Sequence, residues 1–284
     1  MFNIRFENAK SDSLKMGHKQ SPISVTLDGI DGIDVDIATS QGFDQIGYSV
    51  DNMTVGSRQI NLVGKIVNFT PEQLRAVNNM FLPMSYVRMH FEDRYWIDTV
   101  IKESPIFSYS GVTVKFAVSL LAPYPYWKSE TVSYYKLGGT TGGFNFPVSY
   151  AEPHNFGLIS DILFLNCYNA GNTKVDFTAE VTVSSGTVTG FTLTNAQNQQ
   201  FLTVNESMSA GDTVKVYREN NILRVRKIVE GIEIDVFSAL DEDSTLFYMN
   251  VGDNVIRAER TGGDGILVVA VTFYDTVTGV RYGI

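Results

Sequence analysis

The chain has 284 residues, 44% of them hydrophobic and 19% charged, with 22 basic against 31 acidic side chains, three histidines and one cysteine. That length and apolar share suffice for two cored domains, and the lone Cys167 forbids an internal disulfide. A net charge of −9 repels phosphate backbones and anionic lipid, which argues against a nucleic-acid or membrane-surface binder.

In chain order, Met1 to Gln20 lacks the apolar stretch of a signal peptide. No run approaches the ~18 apolar residues of a membrane span, so neither classical export nor membrane insertion is expected. Asp28-Gly29-Ile30-Asp31-Gly32-Ile33-Asp34-Val35-Asp36 then packs four aspartates into nine residues. Hard cations want several carboxylate oxygens, so a calcium loop is one reading. The spacing is not that of an EF-hand, which favours two Asp-Gly turns followed by a strand. That strand would turn Ile33, Val35 and Ile37 inward and Asp34 and Asp36 outward. From Arg58 to Val67 the alternation puts Ile60, Leu62 and Ile66 on one strand face.

Thr70-Pro71-Glu72-Gln73 combines an N-cap hydroxyl, a first-turn proline and a capping-box Gln. With Leu74, Val77 and Phe81 at helical spacing and Pro83 beyond, it predicts one helix over residues 71–81 with that stripe in the core. Period-two alternation resumes at Tyr95–Ile101 and Val112–Val118, and recurs from Val175 to Phe273 between Gly- and Asp-rich turns. Tyr124-Pro125-Tyr126-Trp127 is the densest aromatic cluster. Tyr124, Tyr126 and Trp127 are candidate contacts for a saccharide or partner, because pyranose faces stack on rings, but such a cluster can equally plug a domain edge. Leu137 to Pro147 holds four glycines and a proline, too many for a regular core strand, and marks a junction.

Residues for chemistry are scarce. His18, His90 and His154 occupy unrelated contexts, and HExxH, CxxC and GxSxG are absent. Cys167, in Phe164-Leu165-Asn166-Cys167-Tyr168, reads as a buried inert thiol. No catalytic, cofactor-binding or metal-binding residue is nominated, no cofactor is expected, and the chain reads as a non-enzyme.

The pattern predicts an all-β chain, mainly antiparallel sandwich or barrel, with one helix in the first domain. The expected domains are residues 1–136, a linker over 137–157, and a second β-sandwich over 158–284. Charge divides unevenly: residues 1–150 carry 13 basic and 14 acidic side chains, whereas 151–284 carry 9 and 17. A near-neutral half joined to an acidic half fits two domains with different surroundings.

Taken together, these motifs resemble the distal tail protein family of siphophages and prophages of Gram-positive hosts. The resemblance rests on Leu27–Gly32, the Arg58-x-Ile60-x-Leu62-x-Gly64 strand, the 71–81 helix, Arg94–Ile97 and Ala122–Trp127. It continues in Phe144–Val148, Asn169-Ala170-Gly171-Asn172, Gly252-Asp253-Asn254-Val255-Ile256 and the closing Val280–Ile284. It implies a structural hub in the virion tail tip, made in the host cytoplasm. The first domains would form a homo-hexameric ring around the DNA exit channel, between the tail tube protein and a tail-associated lysin or fibre protein. The second domain would be a galectin-like sandwich, which in some members meets a receptor-binding protein or saccharide. The alternative reading is a carbohydrate-binding module or adhesin for host wall saccharide, with a glycosidase a distant third.

Overall fold

The computed structural model describes residues 2–17, 22–138, 162–219, 222–245 and 247–280. His18, His154, residues 139–157 of the expected linker (Phe144–Val148 among them) and Arg281–Ile284 lie outside the described residues. The protein is almost entirely β, with one α-helix among the described residues, and divides into two compact units: Met1–Thr131 with Thr276–Ile284, and Val132–Asp275.

The first unit contains β1 (Asn3–Asn8), β2 (Ser13–Gly17), β3 (Ile23–Asp28), β4 (Val35–Ser40), β5 (Ser49–Val55), β6 (Arg58–Val67), α1 (Pro71–Met80), β7 (Tyr86–Phe91), β8 (Tyr95–Ser110), β9 (Thr113–Ala122) and the start of β10 (Trp127–Gly138). The order β8-β7-β1-β2-β3-β6-β9 closes into a barrel because β9 pairs back onto β8. Closure removes sheet edges that would otherwise present unpaired backbone groups. Along β6 every second residue is buried, Ile60, Leu62 and Ile66 among them. Gly64 also faces inward, against the Phe116 ring of β9, where even a Cβ would sit 2.1 Å from the ring.

Helix α1 starts as its sequence dictates. The Thr70 hydroxyl accepts from the Gln73 backbone N–H, and the Gln73 side chain accepts from the Thr70 N–H, completing the capping box. Val77, Met80 and Phe81 are buried, with the Phe81 ring edge-on to Phe6 at 5.0 Å.

Strands β4 and β5 depart from the barrel. They pair only with each other, as a two-stranded ribbon, and every residue in both is exposed. The expectation that Val35 and Ile37 turn inward is therefore corrected: nothing of the described chain is layered over either face, so alternation here separates two solvent-facing surfaces.

The second unit contains β11 (Ile162–Asn169), β12 (Thr178–Ser185), β13 (Thr187–Asn195), β14 (Phe201–Val204), β15 (Met208–Ser209), β16 (Thr213–Glu219), β17 (Ile222–Val229), β18 (Ile232–Asp235), β19 (Gly252–Gly263) and most of β20 (Ile266–Val277). One sheet runs β18-β17-β16-β12-β20 and the other β11-β19-β13-β14, with β15 on β13. Between them lies a core that includes Phe191, Val214, Val225, Phe247, Ile256, Val269 and Phe273.

Candidate assembly surface

The ribbon is amphipathic by register. Val35 faces Val55, Ile37 faces Met53 and Thr39 faces Val50, which gathers the apolar side chains on one face. Asp36–Thr54, Ala38–Asn52 and Ser40–Ser49 make the other face polar. A bulge after Ala38 inserts Asp51, whose carboxylate accepts the Ser40 hydroxyl at 2.9 Å. At the tip, Gln45 ties the loop down: its Oε1 accepts from the Gly42 N–H and its Nε2 donates to the Ser49 hydroxyl. That loop holds Phe43 and Ile46 fully exposed, while Ile37 and Met53 on the ribbon are 55% and 65% exposed. A lone two-stranded ribbon is marginal in water, and burying each large apolar side chain stabilises by about 1.5–3 kcal/mol. The arrangement thus favours a partner over the apolar face.

The base of the ribbon is anchored by Arg58, which the sequence motif contains but whose role strand periodicity hid. Arg58 is only 4% exposed. Its Nε donates to the Pro125 carbonyl at 2.7 Å, Nη1 to Gly29 at 2.8 Å, and Nη2 to Thr278. One guanidinium therefore joins the loop after β3, the loop after β9 and the chain's returning C-terminal segment. Burial draws the Arg58 pKa below its ordinary value, and Asp31 and Asp34 oppose that shift. The aspartate cluster thus has a structural job: Asp28 also caps the Gly29 N–H at 2.9 Å, and Gly29 takes φ +82° where a Cβ would strike the Gln59 carbonyl. Among the described residues, no three His, Cys, Asp or Glu side chains converge as a metal site.

The three candidate aromatics are not brought together. Trp127 is fully buried beside Phe91, and its Nε1–H donates to the Ile30 carbonyl at 3.2 Å. A ring so placed is out of reach of a saccharide. Tyr124 and Tyr126 are half-buried and meet edge to face at 5.4 Å, with the Lys128 ammonium 5.2 Å from the Tyr124 ring.

His90 is buried, its ring nitrogens toward the Glu130 and Glu7 carboxylates. Cys167 is buried in β11, and desolvation pushes its pKa up to about 12. Two motif asparagines in the second unit are structural pins. Asn169 Nδ2 donates to the Thr173 and Met249 carbonyls while its Oδ1 accepts from Gly171. Asn254 Oδ1 accepts from the Asn250 N–H, and its Nδ2 donates to Asn250 and Gly252. Asn169 clasps the turn after β11 and Asn254 the turn before β19, and both satisfy backbone groups that burial would otherwise orphan.

Such a scaffold, in which the singled-out polar side chains hold backbone, has a counterpart among tail proteins. Residues 170–273 match the family model described as "Siphovirus-type tail component, C-terminal domain". Over 96% of the chain and 99% of the other, the fold is that of SPP1 Dit (gp 19.1), at TM-score 0.66 and 12% identity. That protein is described as a paradigm of the hub adsorption apparatus in phages infecting Gram-positive bacteria. The fold is Dit-like, as the motif resemblance implied. Weaker likeness extends to a chain of the phage P2 baseplate in its calcium-activated conformation, with TM-score 0.47, 8% identity, and coverage of 95% of this chain and 98% of that one. A comparison with curated protein sequences finds no match.

Proposed function

We propose that this chain is the hub subunit of a non-contractile phage tail and resides in the virion tail tip. Its first unit joins copies of itself in a homo-oligomeric ring, six in the family it resembles, around the DNA exit channel. The ring links the tail tube protein to a tail-associated lysin or fibre protein. The observation that carries this reading is the amphipathic β4–β5 ribbon, which exposes a continuous apolar face with no covering layer from the described chain. The tail-component match of the second unit and the Dit-like fold support it. Surfaces for association, rather than reacting groups, are what such a subunit needs.

The test is mass measurement and electron microscopy of the purified chain, alone and mixed with the tail tube and tail-lysin proteins of the same phage. Rings, or stoichiometric complexes with either partner, are expected. A strictly monomeric chain that binds neither partner refutes the hub.

A further inference from the structure

Three ionisable side chains meet inside the second unit: Lys227 on β17, Glu206 between β14 and β15, and Asp212 just before β16. Lys227 Nζ donates to Glu206 Oε1 at 3.0 Å and to the Ser207 carbonyl, and lies 3.5 Å from Asp212 Oδ2. The Lys227 and Asp212 side chains are each only 15% exposed. Asp212 is held in place from two sides, since its Oδ2 accepts the Ser209 N–H at 3.0 Å and its carbonyl accepts the Val183 N–H at 3.1 Å.

The frame around this triad is apolar. Lys227 shares the inward face of β17 with Leu223 and Val225, both of which pack in the core. Its cross-strand neighbours are the buried Val214 on β16 and Ile234 on β18. Two carboxylates and one ammonium enclosed in this way leave a negative charge uncompensated, and burial disfavours charged forms. Transfer of one proton from Lys227 to Asp212 sets a neutral amine beside a neutral acid. The two remaining N–H groups then stay on Glu206 and Ser207, and the nitrogen lone pair is turned toward the Asp212 carboxyl.

We propose that Lys227 and Asp212 condense to an isopeptide bond within the folded second unit. Nζ bonds to Asp212 Cγ, the proton that the nitrogen sheds passes by way of Glu206 to the departing hydroxyl, and that oxygen leaves as water. One ammonium and one carboxylate thus become one amide and one water, Glu206 ends as it began, and no oxidant or co-reactant is consumed. Placement favours the step, because groups held in reacting geometry behave as if present at about 10⁵ M or more. Charge favours it too, because the amide removes two ions from a site where desolvation is costly. The bond ties β17 to the turn before β16 and restricts the unfolded chain as a disulfide does, without being open to reduction. It reaches beyond the hub reading and does not depend on it.

The experiment is intact-mass spectrometry of the full chain under denaturing conditions, with folding of each variant checked by circular dichroism. The wild type is expected to be lighter than its sequence by one water. Trypsin should then release residues 175–215 and 227–257 joined as one branched peptide, with cleavage after Lys227 blocked. K227R keeps the positive charge and D212A keeps the amine, and both should show the full mass of their sequences. E206Q retains both reacting groups and should be at least about tenfold less condensed, the loss expected when a positioned proton carrier is removed. A wild type at full sequence mass after prolonged incubation overturns the bond. So does a loss of water that K227R retains, because that places the dehydration elsewhere in the chain. The hub is decided separately, by its own ring and partner-binding test.

Discussion

Replacing Arg58 by Met removes three hydrogen bonds while nearly conserving side-chain volume. Each bond runs from a charged donor to a backbone carbonyl, at Pro125, Gly29 and Thr278. Such bonds contribute about 1.5–3 kcal/mol apiece, or about 5–9 kcal/mol gross. Relief from desolvating the guanidinium offsets several kcal/mol, leaving a net loss of about 3–5 kcal/mol, the range for breaking one side of a buried polar network. At about 2–4 °C per kcal/mol for a unit of this size, the first unit should melt on the order of 10 °C lower. Differential scanning calorimetry reads that shift. Hydrogen exchange localises it, because the Val280 N–H, which donates to the Ile30 carbonyl at 3.2 Å, should lose protection. Arg58→Lys should fare little better: one ammonium cannot replace a planar fork that serves three carbonyls. An R58M midpoint within about 1–2 °C of wild type, with Val280 still protected, would refute the anchoring role.

Two further outcomes follow from buried positions. Gly64→Ala forces a Cβ to within 2.1 Å of the Phe116 ring, and overpacking should cost about 1–3 kcal/mol in urea unfolding. G64A/F116L should recover part of that loss, and an unchanged G64A midpoint would contradict the packing. Cys167, with its pKa pushed to about 12, should resist a disulfide reagent at pH 8 and react once the chain is unfolded. The sign for stability follows: between its ordinary 9.0 and about 12 the unfolded chain releases the thiol proton first, so stability should fall as pH rises through that window. Rapid stoichiometric labelling of the native chain would count against the buried site.

Local chemistry was legible wherever a feature rests on neighbours in sequence. The α1 capping box, the Asp28-Gly29 turn and the β6 alternation depend on residues a few positions apart, and the structure forms each of them. Tertiary structure decided which face of an alternating strand has something packed on it. Val35–Ile37 and Ile60–Leu62 alternate alike, yet the first pair lies on a ribbon in solvent and the second inside a closed barrel. A period of two names two faces without saying which is covered. The same reason separates Trp127 from Tyr124 and Tyr126, adjacent residues that the barrel sorts into core and surface. Arg58 needed the fold most, since its carbonyl partners lie 29, 67 and 220 residues away, and no local pattern joins them. Charge was legible in amount but not in arrangement. The chain's first 150 residues sum to near neutrality, and only the register shows that Lys65 stands directly opposite Lys115 on the barrel while Asp36 shares the polar face of the ribbon.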